Sequence, residues 1–303
     1  MAKQPKVLIG QVAAITGGAR GIGRAMARAF IAQGMKVAIG DLDVEAARAT
    51  AEELGAGTIA VELNVTDRAS VERFADEVEA QLGPIDVYVN NAGIMQLSHF
   101  LDEDDATAHR MMDINVHGVL YGMKVVLPRM VARNRGHVVN VASQAGKFGF
   151  AGGATYCATK FAVVGVTESV RQELRLMGAS GVALSVVMPA IVQTELGGGL
   201  DQPRGQKPIQ PEDVAAATVE ALQTERFDVW VPKENARIGA ITGVLPRKGR
   251  EAITRAMKAD QVLWSIDHSA RRGYELRAAR SEPGLEPGSA PAELTAGARD
   301  DAA

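Results

Sequence analysis

A single cysteine, Cys157, is present in the 303 residues, so the chain cannot form an intrachain disulfide. The five histidines and this cysteine show no spacing that is typical of a zinc site. Both absences favour a reducing compartment. We therefore expect a cytoplasmic protein without a bound metal.

The chain also lacks a strong excess of charge of either sign. Its formal net charge is -3, and its lysines and arginines are scattered, so nothing predicts binding to nucleic acid. Residues 176–194 carry no charge, but glycines, serines and Pro189 interrupt them, whereas a membrane span needs about 20 predominantly apolar residues. No targeting peptide is recognisable. A globular protein with a small neutral ligand is the simplest interpretation.

Short β-branched runs alternate with longer helical patterns along most of the chain. This alternation predicts an α/β fold, a doubly wound parallel sheet with helices on both faces. We expect its ligand at the carboxyl ends of the strands. The predicted strands are residues 7–16, 36–40, 58–63, 85–90, 137–142, 182–187 and 227–231.

The pattern changes after about Pro211, where a helix and the last predicted strand complete a single domain of residues 1–235. Residues 236–280 are helical in texture, and residues 237–280 are also basic. They would form a flank that packs on the domain, a cover over the substrate, or a weak peripheral contact with anionic lipid. Residues 281–303 are rich in Pro, Gly, Ala and acids, which predicts a disordered tail.

A glycine cluster, Thr16-Gly17-Gly18-Ala19-Arg20-Gly21-Ile22-Gly23, separates the first predicted strand from the first helix. Glycines in such a turn let the backbone approach a pyrophosphate, and the free amides of the helix N-terminus favour that anion. A strand-to-helix turn without a ligand is the alternative. The position of the cluster in an alternating chain favours a dinucleotide site.

Asp41 ends the second predicted strand. A carboxylate there accepts the hydrogen bonds of an adenosine ribose and repels a 2′-phosphate, so NAD is favoured over NADP. Arg20 argues the other way, because a guanidinium beside the phosphate loop would pair with a 2′-phosphate. The alternative for Asp41 is that it caps the next helix.

Tyr156 and Lys160 are four residues apart, so on a helix they share one face. A tyrosine with a pKa of about 10 is a poor base, and an adjacent ammonium would lower that pKa. Tyr156 would then exchange a proton with an alcohol or ketone, and Ser143 would hold the substrate oxygen. Taken alone, the pair is more typical of an amphipathic surface.

With Asn90-Asn91-Ala92-Gly93 and Asn115, these motifs resemble the classical short-chain dehydrogenase/reductase family over residues 7–235. The resemblance implies a seven-stranded Rossmann-type sheet, metal-free catalysis and an Asn115-Ser143-Tyr156-Lys160 tetrad, in which Asn115 holds a water that links Lys160 to solvent. It also implies a homotetramer or homodimer. The predicted cofactor contacts are Gly17, Arg20, Gly21, Ile22, Gly23, Asp41, Leu42, Asn64, Val65, Asn91, Ala92, Gly93, Tyr156, Lys160, Pro189, Val192 and Thr194.

Two positions depart from the family pattern. Asn64-Val65 stands where the family usually has an aspartate near the adenine, so the hydrogen bonds there would change. Pro189-Ala190 replaces the family's Pro-Gly, and an alanine restricts that turn. Val192 and Thr194, which follow, match positions that contact the nicotinamide carboxamide.

The residues expected to face the substrate are mostly apolar: Met95, Gln96, Gln144, Ala145, Phe148 and Phe150. They indicate a hydrophobic alcohol or ketone. Residues 195–210 would be a lid over it or a passive connector. A non-catalytic NAD-binding sensor or scaffold is the alternative function, although it has no need of Ser143, Tyr156 and Lys160 together. A nucleotide-sugar epimerase or dehydratase is disfavoured by the short segment after Pro189.

Overall fold

The computed structural model describes residues 4–200, 208–256, 268–279 and 281. Within these residues seven parallel strands form one sheet in the order β3-β2-β1-β4-β5-β6-β7. The predicted doubly wound fold is confirmed. The strands are β1 (Val12–Thr16), β2 (Lys36–Asp41), β3 (Ile59–Glu62), β4 (Ile85–Asn90), β5 (Gly136–Val141), β6 (Val182–Pro189) and β7 (Asp228–Val231).

Helices cover both faces of the sheet, and the crossovers connect parallel neighbours except from β3 to β4, where the chain passes over β2 and β1. The helices are α1 (Gly21–Ala32), α2 (Val44–Leu54), α3 (Arg68–Leu82), α4 (Asp105–Met112), α5 (Gly118–Ala132), α6 (Ala154–Leu176), α7 (Pro211–Thr224), α8 (Asn235–Val244), α9 (Arg247–Ala256) and α10 (His268–Ala279). A π-helical turn, Asp113–His117, joins α4 to α5.

The core consists of two apolar layers, one on each face of the sheet. Phe30 of α1 belongs to the layer that packs with α7, and Phe74 of α3 belongs to the opposite layer. All five residues of β1 are buried, which is typical of a central parallel strand covered on both faces. The strand order reverses between β1 and β4, and a ligand crevice opens at such a point.

The first strand is shorter than the sequence predicts. It begins at Val12 because Gly10 adopts a φ of +77°, which ends the extended run. Val7 and Ile9 are 72% and 71% exposed, so their β-branched side chains belong to a surface segment. The prediction that the strand begins at residue 7 is wrong.

The region after β7 is helical where the structure describes it, as α8, α9 and α10. Of the predicted tail 281–303, all but Ser281 lies outside the described residues, as do positions 201–207 of the predicted 195–210 loop. No helix in the described ranges is both long and apolar enough to span a bilayer.

Candidate active site

The glycine loop packs closely against the end of β4. Asn91 donates from Nδ2 to the carbonyls of Thr16 and Gly17, at 2.9 Å each. Gly17 has a φ of +64°, and a Cβ on it would stand 2.8 Å from the Ala92 Cα. The loop therefore requires glycine at this position, and the side-chain amide of Asn91 fixes the loop at the edge of the cleft.

The N-terminus of α1 has no side-chain cap. Arg20 occupies the N-cap position without a capping hydrogen bond, and the first turn contains no acidic residue. By contrast, Asp43, Asp67 and Asp104 cap α2, α3 and α4 with side-chain oxygens. The free amides of α1 open on the cleft, so this end of the helix suits an anion such as a pyrophosphate.

Asp41 stands at the end of β2 beside this loop. Its carboxylate accepts hydrogen bonds from the backbone N–H groups of Ala19 and Asp43, both at 3.1 Å. Burial raises the pKa of Asp41, and these two donors lower it in part. The alternative that Asp41 caps α2 is wrong, because Asp43 occupies the N-cap position.

Arg20, the residue that argued for NADP, forms an ion pair with Asp43. The pairing with Arg20 holds the pKa of the Asp43 carboxyl below its usual value. Both side chains remain partly exposed, so the pair is accessible to solvent and weakened by salt.

Asn64 lines the cleft and makes a local turn. Its Oδ1 accepts hydrogen bonds from the N–H and the hydroxyl of Thr66, at 3.0 and 2.8 Å. The amide oxygen of Asn64 is thus already used within the turn. The Nδ2 group is a hydrogen-bond donor, whereas the aspartate usual in the family has an acceptor oxygen in its place. Val65 lines the same side of the cleft and contacts Gly118 at the start of α5.

Asn115 is buried inside the π-helical turn. Its Oδ1 accepts from the Ile94 N–H at 2.8 Å, and its Nδ2 donates to the Ile94 carbonyl at 2.8 Å and to the Thr159 hydroxyl at 3.1 Å. The side chain thereby joins α6 to the segment after β4. Its role in holding a water for Lys160 stays a prediction.

Ser143, Tyr156 and Lys160 converge at the ends of β5 and α6. Ser143 Oγ accepts from the Ala145 N–H at 3.1 Å and forms a hydrogen bond with Tyr156. Lys160 Nζ donates to the Val141 carbonyl at 3.1 Å and lies 5.6 Å from the centroid of the Tyr156 ring. The two α6 side chains share one face, as predicted, but that face is buried.

Burial dominates the protonation of these groups. It raises the pKa of the Tyr156 phenol, and the hydrogen bond with Ser143 lowers that pKa only in part. Burial also lowers the pKa of Lys160 to about 8. The expectation that an adjacent Lys160 ammonium lowers the pKa of Tyr156 is wrong for this structure, because the desolvation of the buried phenol raises that pKa and the ammonium does not offset it.

These features surround one cleft of about 1610 Å³. Drug-sized ligands occupy clefts of about 300–1,000 Å³, so this one has room for a dinucleotide and a substrate. Of the predicted site residues, Gly23 and Asn115 do not line it. Gly23 instead permits close packing, because a Cβ there would stand 2.3 Å from the Gly17 carbonyl oxygen. The predicted residues that line it are Gly17, Arg20, Gly21, Ile22, Asp41, Leu42, Asn64, Val65, Asn91, Ala92, Gly93, Ser143, Tyr156, Lys160, Pro189, Val192 and Thr194.

The substrate side is largely apolar and includes residues that the sequence did not reveal. Of the residues expected there, Met95, Gln144, Ala145, Phe148 and Phe150 line the cleft, whereas Gln96 does not. Gln144 is held by the Val231 carbonyl and by Asn235. The lining that the sequence did not identify residue by residue includes Ile94, Leu196, Leu200, Trp230, Tyr274 and Ala278, of which Leu196 and Leu200 belong to the predicted 195–210 loop. Tyr274 and Ala278 lie four residues apart on α10, within the basic segment for which a cover over the substrate was one of the interpretations.

The arrangement fits a nicotinamide dinucleotide. The uncapped α1 and the glycine loop would hold the pyrophosphate, and Asp41 would hold the adenosine ribose. Thr194 stands across from the loop, with its Cγ2 3.3 Å from where a Cβ of Gly21 would be. The nicotinamide end would therefore lie between the segment after β6 and the Ser143, Tyr156 and Lys160 side chains.

Comparisons with known proteins agree with this geometry. The family model described as short chain dehydrogenase matches residues 11–205. The sorbitol dehydrogenase of Cereibacter sphaeroides is 41% identical over 209 residues, which cover 66% of this chain and 80% of that protein. Epidermal retinol dehydrogenase 2 of Mus musculus is 32% identical over 254 residues, which cover 82% of each.

A solved structure extends the agreement to the fold. The crystal structure of a short-chain dehydrogenase/reductase from Burkholderia phymatum in complex with NAD superposes with a TM-score of 0.72 at 29% identity, covering 78% of this chain and 94% of that one. The chain belongs to the short-chain dehydrogenase family and is an oxidoreductase.

Proposed function

We propose that this protein transfers a hydride between NAD(H) and a hydrophobic secondary alcohol or its ketone. The observation that carries the proposal is the convergence of Ser143, Tyr156 and Lys160 on the cleft that the uncapped α1 and Asp41 also face. A protein that only binds the dinucleotide does not need a buried phenol and ammonium at its nicotinamide end. These contacts therefore favour catalysis over a sensor or scaffold.

NAD is preferred over NADP in this proposal for two reasons. The Asp41 carboxylate faces the cleft and would lie next to a 2′-phosphate, which it would repel. Arg20, the guanidinium best placed to offset that repulsion, is paired with Asp43. The relative from Burkholderia phymatum was solved with NAD, which agrees with this assignment.

Within the cleft the chain supplies acid/base chemistry. When bound, NAD supplies the hydride acceptor of the oxidation. Tyr156 takes the hydroxyl proton of the alcohol during oxidation and returns it to the carbonyl oxygen during reduction. Ser143 donates a hydrogen bond to the same oxygen, where negative charge develops. Lys160, with a pKa of about 8, is mainly an ammonium near neutral pH and stabilises the phenolate that forms.

The substrate class follows from the lining of the cleft. Ile94, Met95, Ala145 and Tyr156 belong to one apolar cluster, against which Phe150, Leu196, Leu200 and Tyr274 pack. Such a surface desolvates an apolar substituent and offers few partners for the many hydroxyls of a polyol. We therefore place the substrate among apolar alcohols, unlike that named for the sorbitol dehydrogenase relative.

A substrate panel tests this proposal. The purified protein is mixed with NAD or NADP and with apolar secondary alcohols or polyols of matched carbon number, and the absorbance of the reduced nicotinamide is followed. We expect turnover with NAD and the apolar alcohols. Binding of NAD without turnover on any alcohol or ketone would favour the sensor or scaffold, and faster turnover of polyols would overturn the substrate class.

A further inference from the structure

The last described helix, α10, packs over the substrate side of the cleft. Tyr274, Arg277 and Ala278 of this helix line the cleft, and Tyr274 and Ala278 also join the apolar cluster around Tyr156. The helix lies beyond residues 11–205, which the family model matches. Its contribution to the site is therefore separate from the family motifs.

Arg271 fastens α10 to two loops of the domain. The side chain is 0% exposed. Its Nη1 donates to the carbonyls of Leu196 and Gly198 at 2.9 and 3.0 Å, and its Nη2 donates to the Met95 carbonyl at 3.0 Å. These carbonyls belong to the segments after β6 and after β4, both of which line the cleft.

Burying the Arg271 guanidinium is costly, so its N–H groups need hydrogen-bond partners and its charge needs a counter-charge. An uncompensated buried charge is highly unfavourable, so a buried arginine must have its N–H donors satisfied. Glu275 supplies the counter-charge, with its Oε1 3.3 Å from the Arg271 Nε. The guanidinium also lies 5.2 Å from the centroid of the Tyr274 ring. Charge, hydrogen bonds and ring contact thus hold Arg271 and Tyr274 together.

Tyr274 links α10 to the segment after β4. The Met95 N–H donates to its hydroxyl oxygen at 2.6 Å. Burial raises the pKa of Tyr274 to about 12, so the phenol is neutral near neutral pH. The ring is therefore fixed at both ends, at Cβ by α10 and at the hydroxyl by the segment after β4.

We propose that Tyr274 is the specificity-determining wall of the substrate compartment, limiting the size of the apolar group beside the reacting carbon, and that Arg271 is the positioning residue that keeps this wall in place. This inference rests on the proposed alcohol oxidation. Its physical basis is that the Tyr274 ring is held between α10 and the Met95 N–H. A bulkier substrate must displace this ring and so disturb the hydrogen bonds of Arg271.

Variants of Tyr274 test the wall. Tyr274→Ala removes the ring and should raise kcat/KM for secondary alcohols with a long or cyclic substituent, relative to a short one, by about tenfold or more. Tyr274→Phe keeps the ring and should retain the size preference of the wild type. Leu276→Ala, on the outer side of the same helix, is the matched control. An unchanged size preference in an active Tyr274→Ala protein would overturn the inference.

Arg271 is tested by activity and by hydrogen exchange. Arg271→Ala should raise KM for the alcohol several-fold and leave KM for NAD unchanged, and added guanidinium should partly restore the alcohol KM. Arg271→Lys should be intermediate, because one ammonium does not reproduce the planar fork. The exposed neighbour Arg272→Ala is the control.

Exchange separates this inference from the proposed function, because it needs no turnover. In Arg271→Ala, peptides covering Met95 and residues 194–200 should exchange faster, with the rest of the sheet unaffected. Faster exchange confined to α10 would show that Arg271 does not fasten the loops. If the wild type turns over no alcohol but Arg271→Ala shows the expected exchange, the proposed function fails, whereas the role of Arg271 in holding the two loops stands. In that case, turnover of bulky alcohols by Tyr274→Ala decides whether Tyr274 limits the size of the substrate.

Discussion

The ammonium of Lys160 donates to the Val141 carbonyl at 3.1 Å and stands 5.6 Å from the centroid of the Tyr156 ring. Lys160 is buried at the end of β5, where desolvation lowers its pKa to about 8. No acidic partner of Lys160 is found among the described residues. Its charge is therefore left to act on Tyr156 and on the ligand.

Replacing Lys160 should impair the chemical step. Lys160→Met removes the charge that stabilises the Tyr156 phenolate, the form that must accept the alcohol proton, so kcat for alcohol oxidation should fall by about 10²- to 10⁴-fold. Initial rates from the absorbance of the reduced nicotinamide measure this loss. Lys124→Met, on an exposed face of α5, is the control and should have normal kcat. A Lys160→Met enzyme with wild-type kcat would contradict the assigned role.

Ser143 should influence how the rate of alcohol oxidation depends on pH. The hydrogen bond from Ser143 lowers a Tyr156 pKa that burial raises, so its loss in Ser143→Ala raises that pKa further. Oxidation requires the deprotonated phenol, and its rate should rise with pH along a curve displaced to higher pH in the variant. The maximal rate should also fall by about 10²- to 10³-fold. Ser180→Ala, at an exposed position, should leave the profile in place; a profile displaced to lower pH in Ser143→Ala would contradict the hydrogen-bond assignment.

Coenzyme choice should depend on Asp41 and on the Arg20–Asp43 pair. Asp41→Ala removes the carboxylate that repels a 2′-phosphate and should narrow the ratio of kcat/KM for NAD over NADP about tenfold. Adding Asp43→Asn keeps an N-cap side chain but frees Arg20, so the double variant should use NADP better still.

Adding Arg20→Ala to the double variant should abolish the improvement in NADP use that Asp43→Asn brings. This triple variant therefore tests whether the Arg20–Asp43 ion pair is what keeps Arg20 from a 2′-phosphate. Asp43→Asn alone should still prefer NAD. Wild-type protein with a preference for NADP would refute the assignment of Asp41.

His137 should make stability depend on pH. It is buried, its Nε2 lies 2.8 Å from Ser185 Oγ, and that hydroxyl donates to the Arg226 carbonyl at 2.5 Å. Burial lowers the pKa of His137 from 6.5 to about 4, with Lys6 lowering and Glu225 raising it slightly. As pH falls from 6.5 towards 4 the unfolded state binds a proton that the folded state does not.

The free energy of unfolding should therefore fall by about 3 kcal/mol over this interval from His137 alone. Chemical denaturation at a series of pH values measures it. His137→Gln should be less stable near pH 7 but should have a flatter profile in this range. An identical slope in wild type and variant would contradict the assignment.

Much of the fold was predictable from the sequence because local patterns and topology agree. Buried parallel strands such as β1 are continuous apolar runs, and the glycine cluster marks where the first of them turns into a helix. The motifs around Tyr156 and Asp41 occupy the carboxyl edge of the sheet, so their convergence follows from the topology. The start of β1 was misplaced because Val7 and Ile9 have high β propensity although both side chains are exposed.

The α10 contacts were not predictable because they depend on tertiary packing. Arg271 and Tyr274 form bonds to residues far away in the sequence, at Met95 and Leu196. A basic segment with apolar positions is compatible with a solvated flank, a cover or a lipid contact, and only its packing partners distinguish these. The protonation of Tyr156 was also misjudged, since sequence spacing shows a neighbouring lysine but not the degree of burial.

The account depends most on Tyr156 as the acid/base of an alcohol oxidation by NAD. The direct test compares wild type and Tyr156→Phe in two measurements on the same preparations: NAD affinity by calorimetry and turnover of the best apolar alcohol by nicotinamide absorbance. We expect an unchanged affinity and a kcat lower by about 10³-fold or more, with Tyr121→Phe behaving as wild type. Turnover by Tyr156→Phe at the wild-type rate would contradict the mechanism.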